Sequence, residues 1–348
     1  MVDVGIIGAG VIGCAVAEEL GRRGASVVVL DAREVGGGAT QASAGILAPY
    51  IEGHERGALF EQGLQSLALY DDFITRVESS SNRSIEYRRC GTLELADSAE
   101  RARTLCAGAE ARQDGAAAEW VPGPAVHELE PCVSAEVLGA RLCATHGYVV
   151  VPELVAALAA SAQSFGVTFH THAPVEDVQP ENGGFCMRTT AEEIRVGKVV
   201  VCAGSWTSWL DIADELQGRV RPVRGQLLRL RWQSEPLRHI LWSSACYVVP
   251  WVDRTVLVGA TAEEVGFDER ATVAGVKDLL GAVCEILPSA WSADFVEVRV
   301  GLRPASRDGL PIVRASERIT GLFFATGHFR NGILLAPLTA VMLADQIS

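Results

Sequence analysis

The chain has 348 residues, of which 49% are hydrophobic and 21% charged, a composition that buries a sizeable core and excludes wholesale disorder. At roughly 150 residues per domain, it is long enough for about two domains. Its formal charge of −13 repels phosphate backbones and anionic headgroups, which argues against nucleic acid as a partner.

Residues 2–7 read as a short buried strand of the parallel type. Gly8-Ala9-Gly10-Val11-Ile12-Gly13 follows, then an alanine-rich helical stretch over 14–24, a β-branched strand over 26–30, and Asp31. The three glycines serve different ends. Gly8 makes the tight turn, Gly10 lets a pyrophosphate approach the backbone, and Gly13 lets helix and strand pack closely. Free N–H groups at the helix N-terminus then hold the phosphates, and Asp31, 18 residues past Gly13, takes the ribose hydroxyls. A glycine turn alone also serves plain strand-to-helix packing. Here strand, glycines, helix, second strand and terminal acid occur in order, which selects dinucleotide binding. The fingerprint does not separate NAD from FAD.

The small-residue loop over 36–45 suits the C-terminal ends of parallel strands, where backbone must approach a large flat ligand. Phe60, Leu64, Leu67, Ile74 and Val77 recur at helical spacing, which predicts an amphipathic helix over 57–78, ended by Ser79–Asn82. Short strands follow over 92–95 and 138–142, with a helix near 98–112 and a long exposed loop over 113–124. A helix over 153–165 and a strand over 167–170 come next. His170 and His172, two apart, suit a solvated face better than a metal site. A buried strand over 198–202 runs into Ala203-Gly204-Ser205-Trp206, a turn opening a helix. From 220 to 231 arginines alternate with apolar residues, and Arg219, Arg221, Arg224, Arg229 and Arg231 read as one solvated strand face. Strands over 246–250 and 255–260, a helix over 270–286 and a strand over 294–300 complete a second sheet. The chain closes with a strand over 322–326, the polar turn Gly327-His328-Phe329-Arg330-Asn331-Gly332 and a long helix.

Gly8–Gly13, Asp31 and the Ala39–Gly45 segment resemble the FAD-binding start of the D-amino-acid oxidase family of flavoenzymes. The run Gly327–Pro337 is similar to the flavin and substrate segment of that family's glycine oxidase branch. The resemblance implies an α/β fold: a Rossmann-like FAD-binding domain with an inserted α+β substrate domain carrying a mixed or antiparallel sheet. Residues 1–87, 146–219 and 296–348 would form the first domain, and 88–145 with 220–295 the second. It further implies FAD contacts from Gly8, Gly10, Val11, Ile12, Gly13, Asp31, Ala32, Ala39, Thr40, Ala44, Gly45, Ile46, Val175, Ala203, Gly204 and Trp206. His328, Phe329, Arg330, Asn331, Gly332, Ile333 and Leu334 join them. Taken alone, Arg303 is an ordinary salt-bridge partner and Tyr247 a core tyrosine. The resemblance makes Tyr247, Arg303 and Arg330 substrate-binding residues, with Arg303 clamping an amino-acid carboxylate.

No paired carboxylates, metal cluster or nucleophile-elbow serine emerges, so no catalytic acid or base residue is expected, and orientation and electrostatics carry the reaction. No cysteine follows Cys284 where some sarcosine-oxidase relatives tether their flavin, which makes the expected FAD non-covalent. By resemblance, Ile46 and Ala262 line the substrate pocket, the small Ala262 widening it for D-alanine or sarcosine. The implied reaction is oxidative deamination of glycine and other small amines to an imine, then a 2-oxo acid and ammonia. O2 becomes H2O2, and glycine imine feeds thiamine thiazole synthesis. A homotetramer is implied likewise. A D-amino-acid dehydrogenase passing electrons to quinone shares the fold and stays open; the acidic charge argues against a tRNA-modifying flavoprotein, and the presence of Arg303 and Tyr247 against a non-catalytic one. The apolar runs are broken well short of the ~20 residues of a membrane span despite a mean hydropathy of +0.21. No stable membrane insertion is therefore expected. The nine scattered cysteines behave as small hydrophobes in a reducing compartment. Together with the absence of a positively charged leader, they point to the cytoplasm.

Overall fold

The β-branched runs Val2–Ile7 and Val27–Leu30 lie side by side as parallel strands, both solidly apolar because each is covered on two faces. In this computed structural model, which describes residues 2–52, 57–110 and 118–348, they sit inside a parallel sheet. Its order is Leu322–Thr326, Glu193–Val201, Val2–Ile7, Val27–Leu30, Thr168–His170. Strand Ile312–Ala315 flanks it antiparallel, and the early half of Glu193–Val201 pairs instead with the hairpin Val175–Glu181 and Gly184–Thr189. Helices Val11–Arg22, Val151–Ser164 and Gly332–Ile347 cover one face through Val16, Leu20, Leu154, Leu158, Ala340 and Leu343. Phe185, Met187, Ile212 and Leu216 fill the other.

The second sheet runs Asp294–Ser306, Val220–Arg231, Thr255–Gly259, Tyr247–Pro250, Ile240–Trp242, Thr92–Ala96, Gly139–Cys143, Ala118–Pro122. Every pair is antiparallel except Ile240–Trp242 beside Thr92–Ala96. Helix Val273–Ile286 backs it, with Leu228, Leu230, Val248, Val258, Leu279 and Val283 in the core between them. Strand Asp294–Ser306 belongs wholly to this sheet and continues through Gly301–Pro304 to the first one, where Ala305 bridges His328.

Helix Gly332–Ile347 contains Pro337, which removes the N–H that would bond the Ile333 carbonyl. The Tyr70 hydroxyl donates to that carbonyl at 2.5 Å, and the Ser66 hydroxyl donates to the Leu334 carbonyl at 2.6 Å. Helix Ala58–Ser81 thus pins the first turn of the C-terminal helix. That turn is where the cavity described below begins.

Two expectations require correction here. Ala118–Pro122 is an edge strand on Gly139–Cys143 and Gly123–Leu129 a helix, not a loop; residues 113–117 lie outside the described residues. The Trp120 ring packs on Gly139, where any Cβ would collide with it, and this packing outweighs the Gly/Pro-rich local sequence. Nor do the arginines of 219–231 share one solvated face. Arg224 is 3% exposed, bonded to Glu263 at 2.6 Å and Asp268 at 3.0 Å. Arg229 is half-buried with its guanidinium 4.9 Å from the Trp251 ring centre.

Candidate active site

The glycine turn is shaped by close approach. Gly8 has φ +107°, and a Cβ there would lie 2.5 Å from the Cys202 carbonyl; one at Gly13 would sit on the Gly8 carbonyl itself. A side chain at Gly10, by contrast, meets only the Thr40 hydroxyl at 3.3 Å. Asp31 closes the turn: its Oδ2 accepts the Ala9 N–H at 2.6 Å and its Oδ1 the Arg33 N–H at 2.8 Å. Helix Val11–Arg22 then starts at Gly10, which offers no side-chain cap; the Thr40 hydroxyl accepts the Val11 N–H at 3.1 Å, and Gly10, Val11 and Ile12 line a cavity.

That cavity, about 680 Å³, falls in the size range of cofactor and substrate sites. It runs from Asp31, Ala32 and Val175 past Gly8, Gly10, Val11 and Ile12, then along Ala39, Thr40, Ala44, Gly45 and Ile46. Ala203, Gly204 and Trp206 line one wall, and His328 to Leu334, with Tyr247 and Arg303, line another. Gly13 is the one expected FAD contact that does not line it; its place is the helix–strand packing. Trp209, Pro174, Trp242, Ala260 and Arg33 also line the cavity, and sequence reasoning misses them. Trp242 sits on a strand of three residues, too short to leave a pattern, whereas Arg33 lies two places beyond the fingerprint acid. The Arg33 guanidinium stacks 4.5 Å from the Trp206 ring centre and pairs with Glu269 at 2.7 Å. His170 and His172 pair on the surface with Glu192 at 2.9 Å and Glu34 at 2.7 Å.

Two glycines make room for Tyr247 and Arg303. The Tyr247 ring and hydroxyl lie where a Gly259 side chain would be, and the Arg303 guanidinium where a Gly225 side chain would be. Arg303 Nη1 donates to the Thr261 carbonyl at 2.8 Å. The short segment Gly259–Thr261 therefore brings Tyr247 and Arg303 to the same wall. Trp242 adds its ring 5.2 Å from that of Tyr247, and Ile46 and Ala260 pack in the same apolar cluster as Tyr247. Ala262 does not line the cavity; it is exposed. Thr261 and Glu263 turn inward to Gln226 and Arg224, so strand alternation sends the side chain between them outward.

At the other wall, the Phe329 N–H bonds the Pro304 carbonyl at 2.9 Å and the Asn331 N–H the His328 carbonyl at 2.8 Å. Arg330 is exposed, its guanidinium 5.3 Å from the Phe329 ring centre. Helix Gly332–Ile347, like the first helix, starts without a side-chain cap, so two positive helix ends converge on the cavity. His328 is fully buried beside the Thr339 hydroxyl at 3.0 Å, and burial pulls it down to about 4. The unfolded chain takes up this proton near 6.5, the folded chain only near 4. The resulting stability is complete above about pH 6.5 and is lost as pH falls toward 4, by up to about 3 kcal/mol. Denaturant titrations between pH 7 and 4.5 should show this slope, and His328→Gln should flatten that part of it. Parallel curves for the two proteins would place the slope elsewhere.

A family model described as FAD dependent oxidoreductase (DAO) matches residues 3–346. The chain is 33% identical over 348 residues to a glycine oxidase of Geobacillus kaustophilus, covering 99% of this chain and 92% of that protein. It is 35% identical over 350 residues to the bifunctional protein ThiO/ThiG of a Nostoc species, covering 99% of this chain and 52% of that protein. The crystal structure of glycine oxidase from Geobacillus kaustophilus superposes with a TM-score of 0.95 at 32% identity, covering 99% of this chain and 94% of that one. With the dinucleotide cleft, the two helix ends and this match along nearly its whole length, the chain belongs to the DAO family of FAD dependent oxidoreductases.

Proposed function

We propose that the protein oxidises glycine, and with it sarcosine and small D-amino acids, to the imine, with oxygen as electron acceptor. The observation that carries this reading is the convergence of Arg303 and Tyr247 on the Gly259–Thr261 segment, in the same cavity that Asp31 lines. The residues present fit non-covalent FAD. Gly10 leaves space at the start of helix Val11–Arg22, where a Cβ would meet only the Thr40 hydroxyl at 3.3 Å, and with Val11 and Ile12 it lines the cavity.

FAD, when bound, would supply the hydride acceptor and the route by which electrons reach oxygen. The chain does the rest. Asp31, Ala32, Val175 and Trp206 would hold the adenosine end, and Gly10 to Ile12 the pyrophosphate. The N–H groups of Gly332 to Leu334 favour negative charge beside them by ~0.3–2 kcal/mol. Arg303 grips the substrate carboxylate as a fork, the Tyr247 hydroxyl reaches the same group, and Arg330 stands at the rim. Trp242, Tyr247 and Ile46 leave room for a small side chain only. Asp31, the one carboxylate among the described lining residues, is already engaged by two backbone N–H groups, and His328 is neutral. Among the described lining residues no base is placed to take the α-proton, so the substrate would give its α-hydrogen as hydride from the neutral amine. Holding donor and acceptor in line supplies ~7–11 kcal/mol, more than the 10²–10⁴-fold typical of a general base.

Residues 1–87, 146–219 and 296–348 would hold the cofactor, and 88–145 with 220–295 would enclose the amino acid, with Arg303 and Arg330 reaching it from the last segment. The relatives named ThiO/ThiG support a role for the imine in thiamine thiazole assembly. The purified yellow protein should lose its flavin absorbance when glycine is added without oxygen, and should consume oxygen when it is readmitted. Dye reduction without oxygen uptake would instead favour a quinone-linked dehydrogenase. A spectrum unmoved by glycine, sarcosine and D-alanine would overturn the reading.

A further inference from the structure

The strand Val220–Arg231 and the segment after Gly259 enclose a polar cluster that the reaction itself does not use. Arg224 and Glu263 exchange both backbone hydrogen bonds at 2.9 Å, which continues the ladder past Gly259. The Thr261 N–H donates to the Gln226 carbonyl at 3.1 Å, and the Gln226 N–H to the Thr261 hydroxyl at 2.9 Å. That hydroxyl in turn donates to Glu263 Oε1 at 2.6 Å. Glu263 also receives Arg224 Nη2 at 2.6 Å and Gln226 Nε2 at 2.7 Å. Gln226 reaches on to Thr272, its Nε2 donating to the hydroxyl at 2.9 Å and its Oε1 accepting the N–H at 2.8 Å. Arg224 and Gln226 are 3% and 0% exposed.

Everything in this cluster fixes Thr261, and the Thr261 carbonyl holds Arg303 Nη1. Gly225, between the two cluster residues of its strand, leaves the space in which the guanidinium lies. Burial pushes the Glu263 carboxyl up, but the hydrogen bonds from Arg224, Thr261 and Gln226 outweigh it and bring the group down to about 2. The Glu263 carboxylate therefore stays ionised through the neutral range and keeps accepting from Arg224, Thr261 and Gln226.

We infer that Thr261 is a positioning residue for the substrate carboxylate, its carbonyl setting the Arg303 guanidinium through a hydroxyl locked between Gln226 and Glu263. The inference rests on the reading of Arg303 as the carboxylate clamp. A long arginine loses much rotamer freedom when it grips a ligand, and an outer partner that fixes it beforehand lowers that cost. The effect belongs to substrate affinity, not to cofactor binding.

Thr261→Val keeps the shape and removes the hydroxyl. The expected result is a rise of about tenfold in KM for glycine, and in the dissociation constant of acetate read from the flavin spectrum. The turnover number and flavin content should stay within about twofold, Thr261→Ser should restore affinity, and the exposed neighbour Ala262→Ser should match the parent. Glu263→Gln carries the same test at a second position, should Thr261→Val not fold. In the background of Arg303→Ala, Thr261→Val should add nothing, because both act through one guanidinium. Losses that add in full, or a Thr261→Val protein that binds acetate normally while Arg303→Ala does not, would overturn the inference alone. An Arg303→Ala protein with unchanged KM and acetate affinity would overturn the clamp, and the inference with it.

Discussion

Arg303→Ala should lower kcat/KM for glycine by on the order of 10²–10³-fold, because truncating one partner of a desolvated charge pair costs about 2–5 kcal/mol. The loss should fall mainly on KM. Flavin content should not change, since Arg303 is proposed to hold the amino acid and its guanidinium packs over Gly225. Arg303→Lys should recover little of the loss. An ammonium is a point charge without the planar fork, and it cannot donate to the Thr261 carbonyl and span two carboxylate oxygens from the same position. Steady-state kinetics with peroxide detection decide the matter. A normal KM in the alanine variant would show that the carboxylate is held elsewhere.

The second large effect is expected at the glycine turn. Gly10→Val should yield a folded but colourless protein, its affinity for FAD reduced by at least about 10³-fold. Two or three charge-assisted hydrogen bonds from the helix end, each worth about 1.5–3 kcal/mol, would be denied to the pyrophosphate. The fold should tolerate the change, since the added Cβ meets only the Thr40 hydroxyl and the melting temperature should drop by only about 2–4 °C. Gly13→Val is the contrasting case. Its side chain would drive the helix off the Gly8 carbonyl, so loss of the native circular dichroism is expected along with loss of colour. A yellow Gly10→Val protein would remove the cofactor from this cleft.

How much of this is legible in the sequence varies with the range of the interactions. Gly8 to Asp31 can be read outright, because a strand, a turn, a helix and a second strand in immediate succession leave a local signature that tertiary packing only confirms. The strand Leu322–Thr326 and the helix Gly332–Ile347 are equally plain. Arg303 and Tyr247 are different. Nothing around either residue distinguishes a clamp from a salt bridge or a core tyrosine, and their meeting depends on pairings such as Val223 with Arg303 and Tyr247 with Gly259. Arg224 defeats the sequence for the same reason: alternation along one strand is silent about a segment some forty residues later that covers it. Ala262 fails by one step of strand alternation. The hairpin Val175–Glu181 with Gly184–Thr189 is missed, although Asn182-Gly183, with φ +90° at the glycine, is a strong hairpin signal.

The central parallel sheet receives Leu322–Thr326 as a neighbour of Glu193–Val201, and helix Gly332–Ile347 lies against helix Val11–Arg22. The nucleotide cleft is therefore incomplete until that late helix has left the ribosome. Up to that moment the nascent chain has a glycine turn that still lacks the wall formed by Gly332 to Leu334. A message cut short just before the helix should yield a product that never turns yellow, however intact its first three hundred residues are.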